Sequence, residues 1–336
     1  MALKPPVEVP QGAIRLNTDS QKLEFYAQDQ WWQMATDVPT LDGGARGLFA
    51  GMTPDAATHT DAIDYITIPT AGNATDFGNL SVSRLGCGGF GSRTRGVFHS
   101  GGGGTPTAGV NVIDYVTIAS TGNAADFGDS TTTFRYAKGL SNQTRGMNAG
   151  GYPVKDTIDY VTIASTGNAI DFGNLTSTVG GGPGGGASPT RGVFSGGYSP
   201  NSPTCLNTLQ YVTIATTGNA QDFGDMATLR AHNAQATSST RSIVAMGYKT
   251  PSTNQETSEV FTFATLGNST NFGDTIASGI SPGGTSDSIR GVWAGGGTGQ
   301  VIQYVNISTE GNAVDFGDMI TAGGWIGATS NAHGGL

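Results

Sequence analysis

Four histidines and two cysteines are the side chains of this sequence best suited to bind a transition metal or to act as a nucleophile or base. None of them belongs to a CxxC pair or to a group with metal-ligand spacing. The sequence therefore predicts no metal site and no tightly bound organic cofactor, and it predicts that both cysteines are small buried residues. The residues concerned are His59, His99, His232, His333, Cys87 and Cys205.

A carboxylate recurs along the chain within an Asp-Phe-Gly phrase. Carboxylates repeated in this way could bind calcium or work as an acid and base pair, but a catalytic site must be unique within the chain. The preferred interpretation is an Asx turn that closes a hairpin, with calcium binding as the alternative. The positions are Asp76, Asp126, Asp171, Asp222 and Asp315, and Asn271 replaces the aspartate in the fifth of six copies.

An arginine also recurs, usually followed by glycine and an apolar run. A guanidinium at one repeated position can bridge neighbouring repeats or donate to backbone carbonyls, and a ring of anion sites is the alternative. The glycine runs that begin at Gly101 and Gly180 lack the Lys-Ser/Thr of a phosphate-binding loop. The arginines are Arg46, Arg95, Arg145, Arg191, Arg241 and Arg290.

These residues belong to a repeat of about 45–50 residues, of which IDYVTIASTGNAADFGD from Ile113 is one copy. Its IDYVTI part is β-branched and aromatic with apolar residues on both alternation faces, which predicts a strand covered on both sides. The Gly-Asn pair that follows predicts a tight hairpin, and the Asp-Phe-Gly phrase then begins the next strand. With the Arg-Gly phrase and a variable segment, each repeat contains four strands.

The repeat resembles a kelch blade in its double glycine after an apolar strand, its following aromatic-bearing strand and the aromatic in the next turn. The resemblance covers residues 41–336 and departs from the family where phenylalanine, as in Phe77, replaces tryptophan. It implies an all-β fold, a six-bladed kelch-like β-propeller with a short N-terminal β-hairpin extension. Since a variable strand is missing before Arg46, we expect the segment from Thr321 to Leu336 to complete the first blade.

Residues 1–40 form the predicted N-terminal segment, and QGAIRLNTDSQKLEFYAQDQWWQMAT (residues 11–36) within it indicates a small hairpin plus a third strand. This pattern resembles a module of bacteriophage tail-fibre and other virion proteins. The resemblance implies an attachment element, and a cap on the propeller is the alternative. So short a ribbon cannot bury its own apolar side chains. The predicted attachment residues are Ile14, Leu16, Leu23, Phe25, Trp31 and Trp32.

Composition restricts the remaining functional classes. The net charge is −9 with five lysines and no basic cluster, which argues against nucleic-acid binding. No apolar run reaches the length of a secretory signal or a membrane span, so membrane insertion is not expected. The resemblance implies a non-enzymatic virion component that binds other virion proteins, forms a homo-oligomer and displays a surface for a host glycan or protein. The alternatives are an intracellular kelch-like scaffold and a glycan-active propeller enzyme.

Overall fold

The computed structural model describes residues 9–17, 22–33, 45–54, 58–103, 108–199, 204–250 and 253–336. Every regular element in these ranges is a β-strand, which confirms the all-β prediction. The chain divides into two compact units, Met1–Asp42 and Gly43–Leu336. The boundary predicted after residue 40 lies outside the described residues.

The first unit contains one three-stranded antiparallel sheet. The predicted hairpin and third strand are both present, in the order β1-β2-β3. Ile14 pairs with Phe25, and Phe25 pairs with Trp32. The strands are β1 (Ile14–Asn17), β2 (Lys22–Ala27) and β3 (Gln30–Gln33).

The second unit contains the repeats. Its earlier strands are β4 (Arg46–Ala50), β5 (Thr60–Thr67), β6 (Thr75–Arg84), β7 (Gly88–Gly91), β8 (Arg95–Gly103), β9 (Ala108–Thr117), β10 (Ala125–Phe134), β11 (Lys138–Ser141), β12 (Arg145–Ala149), β13 (Lys155–Thr162) and β14 (Ile170–Val179). Its later strands are β15 (Gly184–Ala187), β16 (Arg191–Ser195), β17 (Tyr198–Ser199), β18 (Thr204–Cys205), β19 (Thr208–Thr213), β20 (Gln221–Asp225), β21 (Ala234–Thr237), β22 (Arg241–Ala245), β23 (Tyr248–Lys249), β24 (Thr253–Asn254), β25 (Thr257–Thr262), β26 (Thr270–Asp274), β27 (Gly283–Ser286), β28 (Arg290–Ala294), β29 (Val301–Asn306), β30 (Val314–Asp318) and β31 (Gly327–Ser330).

These strands form six antiparallel four-stranded sheets and two short hairpins, β17-β18 and β23-β24. Sheet 1 holds β31, β4, β5 and β6, sheet 2 holds β7 to β10, and sheet 3 holds β11 to β14. Sheet 4 holds β15, β16, β19 and β20, sheet 5 holds β21, β22, β25 and β26, and sheet 6 holds β27 to β30. We number the strands of each sheet first to fourth in this order. The variable segment, the Arg-Gly phrase, IDYVTI and the Asp-Phe-Gly phrase supply them in turn.

The first strand of sheet 1 comes from the C-terminal end of the chain. Gly327 pairs with Ala50, and Ser330 pairs with Gly47. This is the partner that the sequence predicted for the segment from Thr321 to Leu336. Without it, the edge of β4 would present unpaired backbone groups.

The hydrophobic core lies between the sheets rather than within any one of them. The third strand is buried on both faces, as Ile63 and Ile66 show in sheet 1. Six clusters of buried apolar side chains join sheet 1 to 2, 2 to 3, 3 to 4, 4 to 5, 5 to 6 and 6 to 1. In the last of these, Phe49 and Ile68 of sheet 1 pack with Phe316 of sheet 6. Each sheet therefore depends on two neighbours for its stability.

The glycine of the Arg-Gly phrase makes room for the preceding sheet. A Cβ atom on Gly146 would lie 2.0 Å from the ring of Phe90, a residue of the first strand of sheet 2. A Cβ on Gly192 would lie 2.6 Å from Leu140 in the same way. A side chain at these positions would separate the sheets.

The Gly-Asn pair also contacts a neighbouring sheet, and the predicted tight hairpin is wrong. In sheet 1 the connection between the third and fourth strands runs from residue 68 to 74. There Gly72 N–H donates to Phe316 O at 2.7 Å and Ala74 N–H donates to Asp318 O at 2.8 Å. Asn73 Oδ1 accepts from Asp318 N–H at 3.1 Å. The pair therefore lies beside the fourth strand of the preceding sheet and forms hydrogen bonds along its edge.

The same three hydrogen bonds recur between every pair of neighbouring sheets. The five other glycine-to-phenylalanine bonds are 2.7–3.0 Å long and join Gly122 to Phe77, Gly167 to Phe127, Gly218 to Phe172, Gly267 to Phe223 and Gly311 to Phe272. The five other asparagine acceptors are Asn123, Asn168, Asn219, Asn268 and Asn312. The repeat of Gly-Asn and Asp-Phe-Gly in the sequence therefore reflects one joint used six times.

Candidate functional site

The predicted attachment residues lie on the three-stranded sheet of the first unit. Five of the six share one face, because Ile14 is opposite Phe25, Leu16 is opposite Leu23, and Phe25 is opposite Trp32. Their exposed fractions are 64% for Ile14, 61% for Leu16, 44% for Leu23, 38% for Phe25 and 43% for Trp32. Five large apolar side chains on one open face form a surface of the kind that proteins use for interfaces.

Trp31, the sixth predicted attachment residue, does not belong to this apolar face. Successive strand residues point to opposite faces, so Trp31 lies on the other side of the sheet. There its ring is 5.3 Å from that of Tyr26, and the Arg15 guanidinium lies 4.0 Å above it. Arg15 also pairs with Glu24 at 2.8 Å. The side chains of this second face therefore pair with one another.

The repeated arginines join neighbouring sheets through backbone carbonyls, as one of the two predictions stated. Arg46 Nη1 of sheet 1 donates to Ile118 O of sheet 2 at 3.0 Å, and Arg290 Nη1 of sheet 6 donates to Ile68 O of sheet 1 at 3.0 Å. Most of these guanidinium groups also lie over the tyrosine of their own third strand, at 5.1 Å for Arg46 and Tyr65. The other four donors are Arg95, Arg145, Arg191 and Arg241.

The aspartates of the Asp-Phe-Gly phrase are exposed and lie within the fourth strands, so the Asx-turn interpretation is wrong. Asp76, for example, pairs in register with Asp64 of the third strand. The next residue, Phe77, is the extra residue of a β-bulge that turns its ring into the core. The side-chain oxygen that accepts from backbone N–H groups at the joint is instead that of the asparagine in Gly-Asn.

Sequence reasoning missed a second polar position, the residue just before the tyrosine of IDYVTI. All six side chains there are at most 2% exposed, and five of them accept hydrogen bonds from the preceding sheet. Asp114, for example, accepts from Ser81 Oγ at 2.6 Å. A carboxylate in a strand predicted to be covered on both sides was the available signal. The six are Asp64, Asp114, Asp159, Gln210, Glu259 and Gln303.

Two of these acids have buried arginine partners. Arg84 Nη2 is 2.9 Å from Asp114 Oδ2, and Arg230 Nη2 is 2.7 Å from Glu259 Oε1. Each arginine lies four residues before the first strand of the next sheet. At the equivalent position before the first strand of sheet 1, the sheet that holds Asp64, the chain has Gly323 instead of an arginine.

Asp64 is consequently a buried carboxylate with an oxygen, Oδ2, that has no hydrogen-bond partner. Burial raises the pKa of Asp64 to about 6. The backbone N–H of Ile320 opposes this shift, and the charge of Asp76 adds to it. An unpaired buried carboxylate destabilises the fold when it is ionised.

The first strands of the six sheets surround a central cavity of about 40 Å³. Its lining is rich in glycine and hydroxyl groups, and the Oγ1 atoms of Thr285 and Thr329 are buried there without a partner. At one end the C-terminal residues fill the space, where His333 Nε2 is 3.1 Å from both Ser141 Oγ and Gly91 O. A cavity of this size and polarity accommodates ordered water rather than an organic cofactor.

Lys138 lies near the other end of the central cavity. Its Nζ donates to Ile326 O at 2.7 Å and to Pro282 O at 3.1 Å. Burial lowers the pKa of Lys138 to about 8, and the nearby Cys87 thiol opposes that shift. The two carbonyls hold the ammonium group as a link between three sheets.

Six loop residues, each two positions before a first strand, close this end of the cavity; we call them the entry residues. Backbone hydrogen bonds of 2.7–3.2 Å join each entry residue to the one before it, and Gly86 to Trp325, so the series is closed. The bond to Ser281 O is donated by the N–H of Ile326 instead of that of Trp325. All six have positive φ, between 33° and 66°. They are Gly86, Tyr136, Gly182, His232, Ser281 and Trp325.

Both cysteines and two of the histidines are also buried. Cys87 and Cys205 are buried and free, which confirms their predicted role, and burial raises the pKa of Cys87. Burial lowers the pKa of His99 and of His232 to about 3. In the part of the chain that the structure describes, no three His, Cys, Asp or Glu residues gather as metal ligands, and no helix is long and apolar enough to cross a membrane.

No family model matches the chain, and no curated protein matches it significantly.

Proposed function

We propose that Gly43–Leu336 is a six-bladed, kelch-like β-propeller in which sheets 1 to 6 are the blades and β31 completes the first. Three sets of contacts support this proposal. The apolar clusters, the Gly-Asn joints and the arginine-to-carbonyl bonds each run from one sheet to the next, and each also joins sheet 6 to sheet 1. Separate sheets that pack in this cyclic order are the arrangement of propeller blades.

We further propose that the protein is a non-enzymatic virion component of a bacteriophage, attached through its N-terminal sheet and displaying its propeller for binding. The repeated arginines and asparagines, and the buried acids other than Asp64, have structural partners between the sheets. The repeated residues therefore form a scaffold, and the surface loops between its strands are available to recognise a partner. The virion assignment is supported by the tail-fibre-like pattern of residues 11–36.

The observation that carries the attachment role is the apolar face of Ile14, Leu16, Leu23, Phe25 and Trp32. Residues that a folded protein leaves 38–64% exposed side by side gain free energy when a partner covers them, about 25 cal/mol for each Å² of apolar surface. The opposite face has its own ion pair and aromatic contacts. The sheet therefore offers one face for a partner protein in the particle.

Particle incorporation of point variants tests this role. Leu16→Ser with Phe25→Ser should reduce the amount of the protein in purified particles, because both changes remove apolar surface from the attachment face. Ile320→Ser, at a residue of the second unit that is 51% exposed, is the matched control and should incorporate normally. Normal incorporation of the double variant would assign attachment to another surface. A soluble protein never recovered in particles would favour the intracellular scaffold.

A further inference from the structure

The two ends of the six sheets differ in how strictly they repeat. At the end where first strands turn into second strands, the turns SRTR, NQTR, SPTR and SSTR repeat closely before Arg95, Arg145, Arg191 and Arg241. At the other end, the connections from second to third strands differ in every sheet. Sheet 2 extends its strands through Gly103 and Ala108, sheet 4 adds β17-β18, and sheet 5 adds β23-β24. We call this second end the variable end.

Aromatic side chains gather at the centre of the variable end, on the entry residues. The rings of Tyr136 and Trp325 are 4.4 Å apart, and those of His232 and Trp325 are 4.7 Å apart. Tyr248 stacks on His232 at 5.6 Å with an angle of 18° between the rings. Tyr136 and Trp325 are half-buried, whereas His232 is buried. We call these four residues the aromatic cluster.

The backbone at the entry residues favours glycine, which makes the aromatic choice informative. Tyr136, His232 and Trp325 have φ values of 66°, 55° and 63°. A residue with a side chain costs about 1 kcal/mol or more in this left-handed region, and two of the six entry residues are in fact glycine. Backbone strain of this kind concentrates at sites that bind ligands. Covering the cavity requires bulk but does not require three strained aromatic residues.

A cation and a further ring extend the aromatic cluster outward. The Arg135 guanidinium lies 5.0 Å from the rings of both Tyr136 and Tyr152, and Tyr152 is 49% exposed. The Ser281 hydroxyl is 3.0 Å from His232 Nδ1, and both residues are buried, so this bond supports the cluster from within. The centre of the variable end thus combines partly exposed aromatic residues with the Arg135 guanidinium. This combination suits an amphipathic ligand that is flat on one side and rich in hydroxyl groups at its edge.

We propose that the aromatic cluster binds a carbohydrate, with one face of a pyranose ring packed on the exposed part of the Trp325 and Tyr136 pair, whose rings also pack on each other. The axial C–H bonds of a pyranose give it an apolar face that packs on an aromatic ring, while its hydroxyl groups meet polar side chains at the rim. This inference deepens the proposed function, on which it rests, by naming the class of molecule that the displayed propeller binds. The surrounding loops of the variable end determine which sugar fits.

Binding of the purified full-length protein to immobilised oligosaccharides tests the proposal. The panel contains oligosaccharides that end in a neutral hexose, an N-acetylhexosamine or a carboxylated sugar, so its arms distinguish neutral from acidic ligands. Trp325→Ala and Tyr136→Ala should each weaken binding by roughly tenfold or more. Ile289→Ala, at a residue that is 58% exposed in a turn at the opposite end, should leave binding unchanged.

Tryptophan fluorescence provides a second measurement that does not depend on the folding of these variants. A protein with Trp31→Phe and Trp32→Phe retains only Trp293, which is fully buried, and Trp325. Its fluorescence emission should shift when an oligosaccharide that bound the protein in the panel is added, because that sugar would cover Trp325. Failure of every oligosaccharide to bind, or binding that Trp325→Ala and Tyr136→Ala leave intact without a spectral shift, would overturn the proposal. Because binding is measured on free protein, this result is independent of particle attachment.

Discussion

The backbone N–H of Gly72 donates a hydrogen bond of 2.7 Å to the carbonyl oxygen of Phe316, which lies near the far end of the chain. The same bond, also 2.7 Å long, joins Gly122 to Phe77 of the repeat before it. The fourth strand of sheet 6 therefore meets sheet 1 as every other fourth strand meets its successor. The repetition of Gly-Asn and Asp-Phe-Gly along the sequence is thus explained by hydrogen bonds between neighbouring sheets.

The asparagine of each Gly-Asn joint should contribute to stability, and the nearby aspartate should not. Asn123→Ala removes the acceptor of the Asn79 N–H and should lower the free energy of unfolding by about 1 kcal/mol. Asp126→Ala removes an exposed strand side chain and serves as the matched control, with little expected effect. Urea unfolding of both variants measures the difference. Equal losses would show that the asparagine has no special role at the joint.

The buried ion pair between Arg84 and Asp114 predicts a larger effect. Arg84→Met should destabilise the protein by about 3–5 kcal/mol, because it leaves the Asp114 carboxylate buried without its cation. Adding Asp114→Asn should recover part of that loss, since the amide oxygen can still accept from Ser81. Thermal unfolding of the single and double variants measures this. A double variant no more stable than Arg84→Met would contradict the assignment.

Asp64 should make stability fall as the pH rises. Its pKa is raised by burial from 3.8 to about 6, so the folded state binds more protons than the unfolded state between these values. Stability should decrease from about pH 4 to pH 6 and stay lower above. Asp64→Asn should therefore raise the melting temperature at pH 7.5 by roughly 2 °C or more and change it little at pH 4.5. The exposed Asp222→Asn is the control, because Asp222 holds the same position in sheet 4 opposite the neutral Gln210. An equal effect of both variants would refute the role of burial.

Removal of the C-terminal segment should affect the whole second unit. Deleting residues 321–336 takes away β31 and leaves the edge of β4 unpaired. We expect lower solubility and a lower melting temperature, because an exposed edge strand invites aggregation. Differential scanning calorimetry measures the effect. An unchanged melting curve would show that β31 is dispensable.

The sequence was sufficient to predict the strands, because their periodicity and phrases are local. It predicted the fourth strand from the Asp-Phe-Gly phrase and the pairing of the C-terminal segment with the strand after Arg46. The role of Gly-Asn was predicted wrongly, because its hydrogen-bond partners lie in the preceding sheet, as Phe77 does for Gly122. Turn chemistry alone favoured a tight turn, whereas the two strands pair around a longer connection that bonds to that sheet.

The candidate sites show the same limit. Exposure of the attachment face followed from its apolar residues, but the assignment of Trp31 to the opposite face required the register of β3 against β2. The aromatic cluster was not predicted at all. Tyr136, His232 and Trp325 stand in dissimilar local sequences, and only the contacts among first strands bring them together. They occupy the same position of three repeats, two residues before a first strand, but the dissimilar sequences around them concealed that equivalence.

Amide hydrogen exchange at Gly72 tests the central claim, the cyclic packing of six sheets, most directly. The N–H groups of Gly122, Gly167, Gly218, Gly267 and Gly311 make the equivalent bond and serve as internal controls. If sheet 6 packs on sheet 1 as the other sheets pack on each other, the Gly72 amide should exchange as slowly as these five. A Gly72 amide that exchanges at the rate of an unprotected backbone group, while the five others stay protected, would contradict the account.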